Sequence, residues 1–155
     1  MRFNAVSGSA ARQRTECAIV GIYESGALST AAAELDAALD GRIARLVKRR
    51  DARGKLGECT LIDVDGAACR RVLLVGMGKK ESFGRKQYKK ALLAAAAALA
   101  KTGAHDSVSF ISVEPVASTD AYYRGRLAAE SVGHAVYRVP AIRSTRQKPA
   151  PALKR

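Results

Sequence analysis

Two runs of apolar residues restrict the possible folds of this chain more than any other feature. "CAIVGIY" (Cys17–Tyr23) and "VLLVG" (Val72–Gly76) are almost unbroken. A strand with one face in water alternates apolar and polar residues, whereas a strand covered on both faces stays apolar throughout. Both runs therefore predict strands sandwiched between two layers, and the segments around them carry helical spacing. Together they predict an α/β fold: a mixed β-sheet flanked by helices on both faces, in a single domain.

The remaining elements follow from caps, turns and periodicity. "RFNAV" (Arg2–Val6) alternates and predicts a short strand. Ser29 or Thr30 can cap an alanine-rich helix that Asp40-Gly41 stops or bends. In "RIARLVKRR", Ile43, Leu46 and Val47 take i, i+3, i+4 spacing, and Arg42, Arg45, Lys48 and Arg49 fall on the other face. "CTLIDV" predicts a strand that Asp65-Gly66 turns into a hairpin with "RRVLLV". A long helix is expected from about Ser82 to Lys101, with Tyr88, Leu92, Ala95 and Leu99 as its inner stripe and Thr102-Gly103 as its end. "SVSFISV" predicts another strand. A last helix, capped by Ser118 or Thr119, spans about Asp120 to Tyr137.

Residues 1–138 thus form one domain, and the character then changes. Residues 139–155 are basic and proline-rich, the composition of a linker leading towards a further domain. A chain of 155 residues can bury roughly 70% of its unfolded surface. With no tryptophan and few aromatics, small aliphatic residues must fill that core.

Chemistry is sparse. Cys17, Cys59 and Cys69 form no Cys-x-x-Cys pair, so neither a disulfide framework nor a zinc knuckle is expected. The two histidines, His105 and His134, lie far apart, and no His/Cys/Asp/Glu group has metal-ligand spacing. Asp63 and Asp65 could meet one cation but fit a solvated hairpin tip better. No Gly-x-Ser-x-Gly elbow is present. The N-terminus lacks a signal-peptide core, and no run approaches the ~18 apolar residues of a membrane span, so a cytoplasmic location is expected.

The stretch "RRVLLVGMGKK" invites comparison with a phosphate-binding turn. A dinucleotide fingerprint requires a third glycine, and here that position is Glu81. A P-loop requires Ser or Thr after Gly-Lys, and Lys80 follows Lys79. The glycines fit a strand-to-helix corner better than a nucleotide site.

The net charge of +13 is concentrated rather than spread. Residues 42–57 hold seven cations against one carboxylate, residues 70–101 nine against one, and residues 138–155 six against none. Lys79, Lys80, Arg85, Lys86, Lys89 and Lys90 join the four α-helical cations named above as candidate nucleic-acid contacts, acting on phosphates without reading sequence. The competing reading of each is a solvated helix face.

The order of landmarks resembles a known family. "VSGSAARQRTECAIVGIYESGALS", "DGRIARLVKRRDARGKLGECTLID", "RRVLLVGMGKKESFGRKQYKKA" and "KPAPALKR" are similar, in order and spacing, to the N-terminal domain of the leucyl aminopeptidase (cytosol aminopeptidase) family. The resemblance implies a macro-domain-like fold joined to a C-terminal catalytic domain of the same chain. In the family that domain holds two divalent metals (manganese, zinc or magnesium), releases N-terminal residues such as leucine from peptides, and assembles as a homohexamer. Its Asn-Thr-Asp-Ala-Glu-Gly-Arg-Leu motif has no counterpart here, so no catalytic or metal-binding residue and no cofactor is assigned to this chain. Some bacterial members also bind DNA, which makes a regulatory DNA-binding module the alternative function. Macro domains proper often bind ADP-ribose, and the Gly76–Gly78 corner is the place to look for that.

Overall fold

The computed structural model describes residues 2–136. Four strands form one mixed sheet in the order β2-β3-β1-β4. They are β1 (Thr15–Ile22), β2 (Cys59–Asp63), β3 (Cys69–Gly76) and β4 (Val108–Ser109). β1 runs parallel to β3, with Ile19 opposite Leu73 and Val20 opposite Leu74, and parallel to β4. β2 pairs antiparallel to β3, with Leu61 opposite Leu73. The predicted fold class is correct: the central strands are buried on both faces, as their unbroken apolar runs require.

Side-chain alternation divides the core in two. Ala18, Val20 and Ile22 of β1 with Val72 and Leu74 of β3 face one side, where α1 (Thr30–Ala38) and α2 (Arg42–Lys48) supply Leu35 and Ile43. Cys17, Ile19, Leu73 and Val75 face the other, against Tyr88, Leu92, Ala95 and Leu99 of α3 (Arg85–Leu99). The predicted stripe of the long helix is therefore its buried face. α4 (Ala121–Val136) packs outside α3 and lends Leu127 and Ala128.

Local chemistry sets the boundaries. The Ser29 hydroxyl accepts from the Ala32 amide and caps α1. Asp40 and Gly41 both take left-handed conformations (φ 51° and 74°), breaking the path between α1 and α2 as the sequence predicts.

Five expectations need correction. Residues 2–7 form no strand, because no neighbouring strand offers them hydrogen bonds. α3 begins at Arg85 rather than Ser82, since Lys80–Ser82 make a separate 3-10 turn. Gly103 takes no left-handed conformation; the Thr102 hydroxyl donates to the Leu99 carbonyl there instead. The strand expected across residues 107–113 shrinks to Val108–Ser109, because the backbone turns at Phe110 into a 3-10 turn that buries Ile111. At α4 the Asp120 carboxylate, rather than Ser118 or Thr119, accepts from the Tyr123 amide. Tyr137, the boundary at 138 and the basic segment 139–155 lie outside the described residues.

Candidate functional site

The glycine corner sits at the carboxyl end of β3, where α/β sheets usually place ligands. Its three residues, Gly76, Met77 and Gly78, are all buried. Each amide is already spent inside the protein: Gly76 donates to the Glu58 carbonyl at 2.7 Å, Met77 to Ile22 at 2.9 Å, and Gly78 to Gly54 at 2.9 Å. A phosphate cradle needs such donors free. Gly76 is glycine because the Lys55 carbonyl crosses it, so closely that a Cβ would lie 1.9 Å from that oxygen. The Met77 side chain, fully buried, packs onto Gly21 and fills the remaining space. The corner is a closed joint between the residue 54–57 loop and the strand ends, and nothing there grips a nucleotide.

A buried carboxylate holds the neighbouring helix start. Glu114 is 4% exposed. Its Oε1 accepts from the Thr30 amide at 3.1 Å and its Oε2 from the Tyr23 hydroxyl at 3.0 Å. A carboxylate beside a helix N-terminus is stabilised by the orphan amides and the helix dipole. Burial, with the Glu114 charge behind it, pushes the Tyr23 phenol well above its ordinary value. Glu114 therefore occupies the position an incoming anion would need at α1. The trace of this role in the sequence is one acid in the otherwise uncharged stretch Ile111–Val116, too little to identify it beforehand.

The remaining reactive groups are structural. Burial raises all three thiols, Cys17 to about 11, so none is an activated nucleophile. Asp63 pairs with Arg71 at 3.7 Å on the surface. Among the described residues no three His, Cys, Asp or Glu side chains come close enough to hold a metal ion. A shallow depression of about 200 Å³ lies at the opposite, amino end of the sheet, lined by Glu16, Arg70, Arg71, Gly103 and His105. Its Glu16 carboxylate already accepts from the His105 amide.

All ten candidate cations are exposed. Arg42, Arg45, Lys48 and Arg49 belong to the α2 side of the sheet, whereas Arg85, Lys86, Lys89 and Lys90 belong to α3 on the other. Lys79 and Lys80 stand between them, with Lys80 5.6 Å above the Tyr23 ring. Arg45 donates to the Asp40 carbonyl, and Arg85 donates to the Ser118 carbonyl and lies over Tyr123. Three ion pairs form among the described residues, and none of the ten takes part in them.

The model of the cytosol aminopeptidase N-terminal domain matches residues 19–146. The chain belongs to the cytosol aminopeptidase family. It is 37% identical over 155 residues to the probable cytosol aminopeptidase of Halorhodospira halophila, a match covering 99% of this chain and 31% of the relative. The chain thus spans about a third of the length of such relatives. Among solved structures, a tomato leucine aminopeptidase mutant shares the fold with a TM-score of 0.66 at 21% identity, covering 92% of this chain and 29% of that one. The macrodomain of Mycobacterium tuberculosis DarG matches at a TM-score of 0.65 and 11% identity, over 83% of this chain and 88% of its own. The macro-domain-like architecture that the resemblance implies is therefore correct, and in this chain Met77 and Glu114 close the strand end.

Proposed function

We propose that this chain serves as the non-catalytic N-terminal domain of a cytoplasmic metallo-aminopeptidase that removes N-terminal residues, leucine among them, from peptides. The single observation carrying this reading is the family match across residues 19–146 at about a third of a relative's length. The catalytic domain of the same chain would supply the divalent metals (manganese, zinc or magnesium) and the contacts of a homohexamer. This domain contributes shape and surface: its strand ends are sealed, and its thiols are held protonated by burial. No residue described above holds a metal or touches a substrate in this reading.

The test is hydrolysis of leucine p-nitroanilide with manganese present, by the 155-residue chain and by the product of the extended reading frame. Turnover is expected only from the extended protein. Turnover by the 155-residue chain, or its absence from a folded extended protein carrying the Asn-Thr-Asp-Ala-Glu-Gly-Arg-Leu motif, would overturn the proposal.

A further inference from the structure

The parallel strands β1, β3 and β4 all begin at the end of the sheet opposite the glycine corner, and charge collects there. The register sets Thr15 opposite Cys69 and Cys17 opposite Arg71. Glu16 and Arg70 are therefore neighbours on strands about 4.8 Å apart. Opposite charges across neighbouring strands attract, yet these two stay apart. Arg70 is exposed and takes part in none of the three ion pairs of the described residues. Glu16 is tied to the loop ahead of β4: its Oε2 accepts from the His105 amide at 2.7 Å, and its own amide donates to Asp106 at 2.8 Å. Both side chains line the hollow of about 200 Å³, with Gly103 beside them.

We propose that this hollow binds a free α-amino acid, taking its carboxylate on Arg70 and its ammonium group on Glu16. A guanidinium presents a planar fork of donors that matches a carboxylate. A simple anion would meet Arg70 but also the Glu16 charge, and a simple cation would meet the reverse. A ligand carrying both signs satisfies both. In an α-amino acid the nitrogen and the carboxyl carbon lie about 2.5 Å apart across a single carbon. One such molecule can bridge two groups that do not reach each other. The Gly103 amide makes no hydrogen bond among the described residues and offers the carboxylate a further donor. A Cβ at Gly103 would meet nothing within 4 Å, so the hollow stays open on that side. The neighbouring charges are engaged, Arg71 with Asp63 and Asp106 with the Glu16 amide.

Size and lining narrow the ligand. Clefts for drug-sized molecules enclose roughly 300–1,000 Å³, so this hollow suits something smaller. No apolar side chain lines it, so the side chain of the ligand is left unread. Chain length is read instead, because each added residue carries the carboxylate about 3.5 Å further from the ammonium group. Free amino acids fit and peptides do not. Binding does not depend on the peptidase reading. Under that reading, however, the site accepts the class of product the parent enzyme releases and rejects the class of substrate.

The test is a titration of the 155-residue chain, labelled with nitrogen-15, with glycine and with L-leucine, followed by amide NMR signals. Two hydrogen bonds to charged groups correspond to dissociation constants in the millimolar range. The Glu16, Gly103 and His105 signals should move saturably, and alike for both amino acids. Acetate and methylamine, the two halves of glycine, and the dipeptide glycylglycine should leave them in place. Arg70→Ala and Glu16→Gln should each weaken binding about tenfold or more. Glu16→Gln keeps an acceptor for the His105 amide, and the unshifted remainder of each spectrum establishes that the variant is folded. No saturable movement with glycine at tens of millimolar, equal movement with acetate or glycylglycine, or unchanged binding in either variant would each overturn the proposal.

Discussion

Replacing Gly76 with alanine tests whether the corner is a joint. The added Cβ would lie 1.9 Å from the Lys55 carbonyl oxygen and 2.8 Å from the Gly54 carbonyl carbon, both backbone atoms that no rotamer change can move aside. The loop must lift, and three hydrogen bonds depend on its position: Gly76 to Glu58 at 2.7 Å, Gly57 to Gly76 at 2.9 Å, and Gly78 to Gly54 at 2.9 Å. At about 1 kcal/mol each, their loss costs roughly 3 kcal/mol. Partial accommodation in place of rupture costs about 1–3 kcal/mol as overpacking. A destabilisation of about 3 kcal/mol is expected, lowering Tm by roughly 10 °C for a chain of this size. Urea unfolding followed by far-ultraviolet circular dichroism measures it. Gly66→Ala is the internal control: unlike Gly76, Gly66 takes a left-handed conformation (φ 88°), and a Cβ there meets nothing within 4 Å. Its cost should be confined to backbone strain of about 1–2 kcal/mol. If Gly76→Ala costs no more than Gly66→Ala, the close backbone approach is not what the position is for.

Two further outcomes follow from the buried groups. Glu114→Ala leaves the Tyr23 hydroxyl and the Thr30 amide without their acceptor, and should cost about 2–4 kcal/mol in urea unfolding; a loss under 1 kcal/mol would mean the carboxylate is incidental. In alkaline solution, the Cys17 thiol (raised from 9.0 to about 11) and the Tyr88 phenol (raised from 10.0 to about 12) hold their protons more tightly folded than unfolded, chiefly through burial. Their contribution is complete below about pH 9 and disappears as the pH rises towards 12, so the urea midpoint should hold steady to pH 9 and fall beyond it. A midpoint that stays level to pH 11.5 would contradict this.

Some of this molecule is legible from residue order alone. β1 and β3 are legible because burial on both faces leaves a run that no other element produces. The break between α1 and α2 is legible because Asp40-Gly41 offers left-handed conformations that few other pairs tolerate. Arg2–Val6 shows the limit of alternation as a signal: it states a preference, and a strand also requires a partner. The corner shows a second limit. Gly76 and Gly78 look like ligand donors, and what consumes their amides comes from Gly54 and Glu58, about twenty residues earlier in the chain. A longer separation hides Glu114, whose partners Tyr23 and Thr30 precede it by 91 and 84 residues. The ten candidate cations are legible as a count, but their division between the two faces of the sheet is not.

The register of β2 has its own consequence. Glu58 and Val64 spend their backbone groups on β3, so at alternate positions Cys59, Leu61 and Asp63 turn their amides and carbonyls away from the sheet. Such a margin can be extended by any strand that reaches it, another molecule's included. The large positive charge of the chain does not guard it, because residues 58–69 contain no lysine or arginine. The guard is local: Asp63, whose side chain is 91% exposed, flanked by Glu58 and Asp65. Colloidal behaviour of this strongly basic protein is thus governed at that margin by a few carboxylates, and neutralising them exposes an adhesive edge that the overall charge conceals.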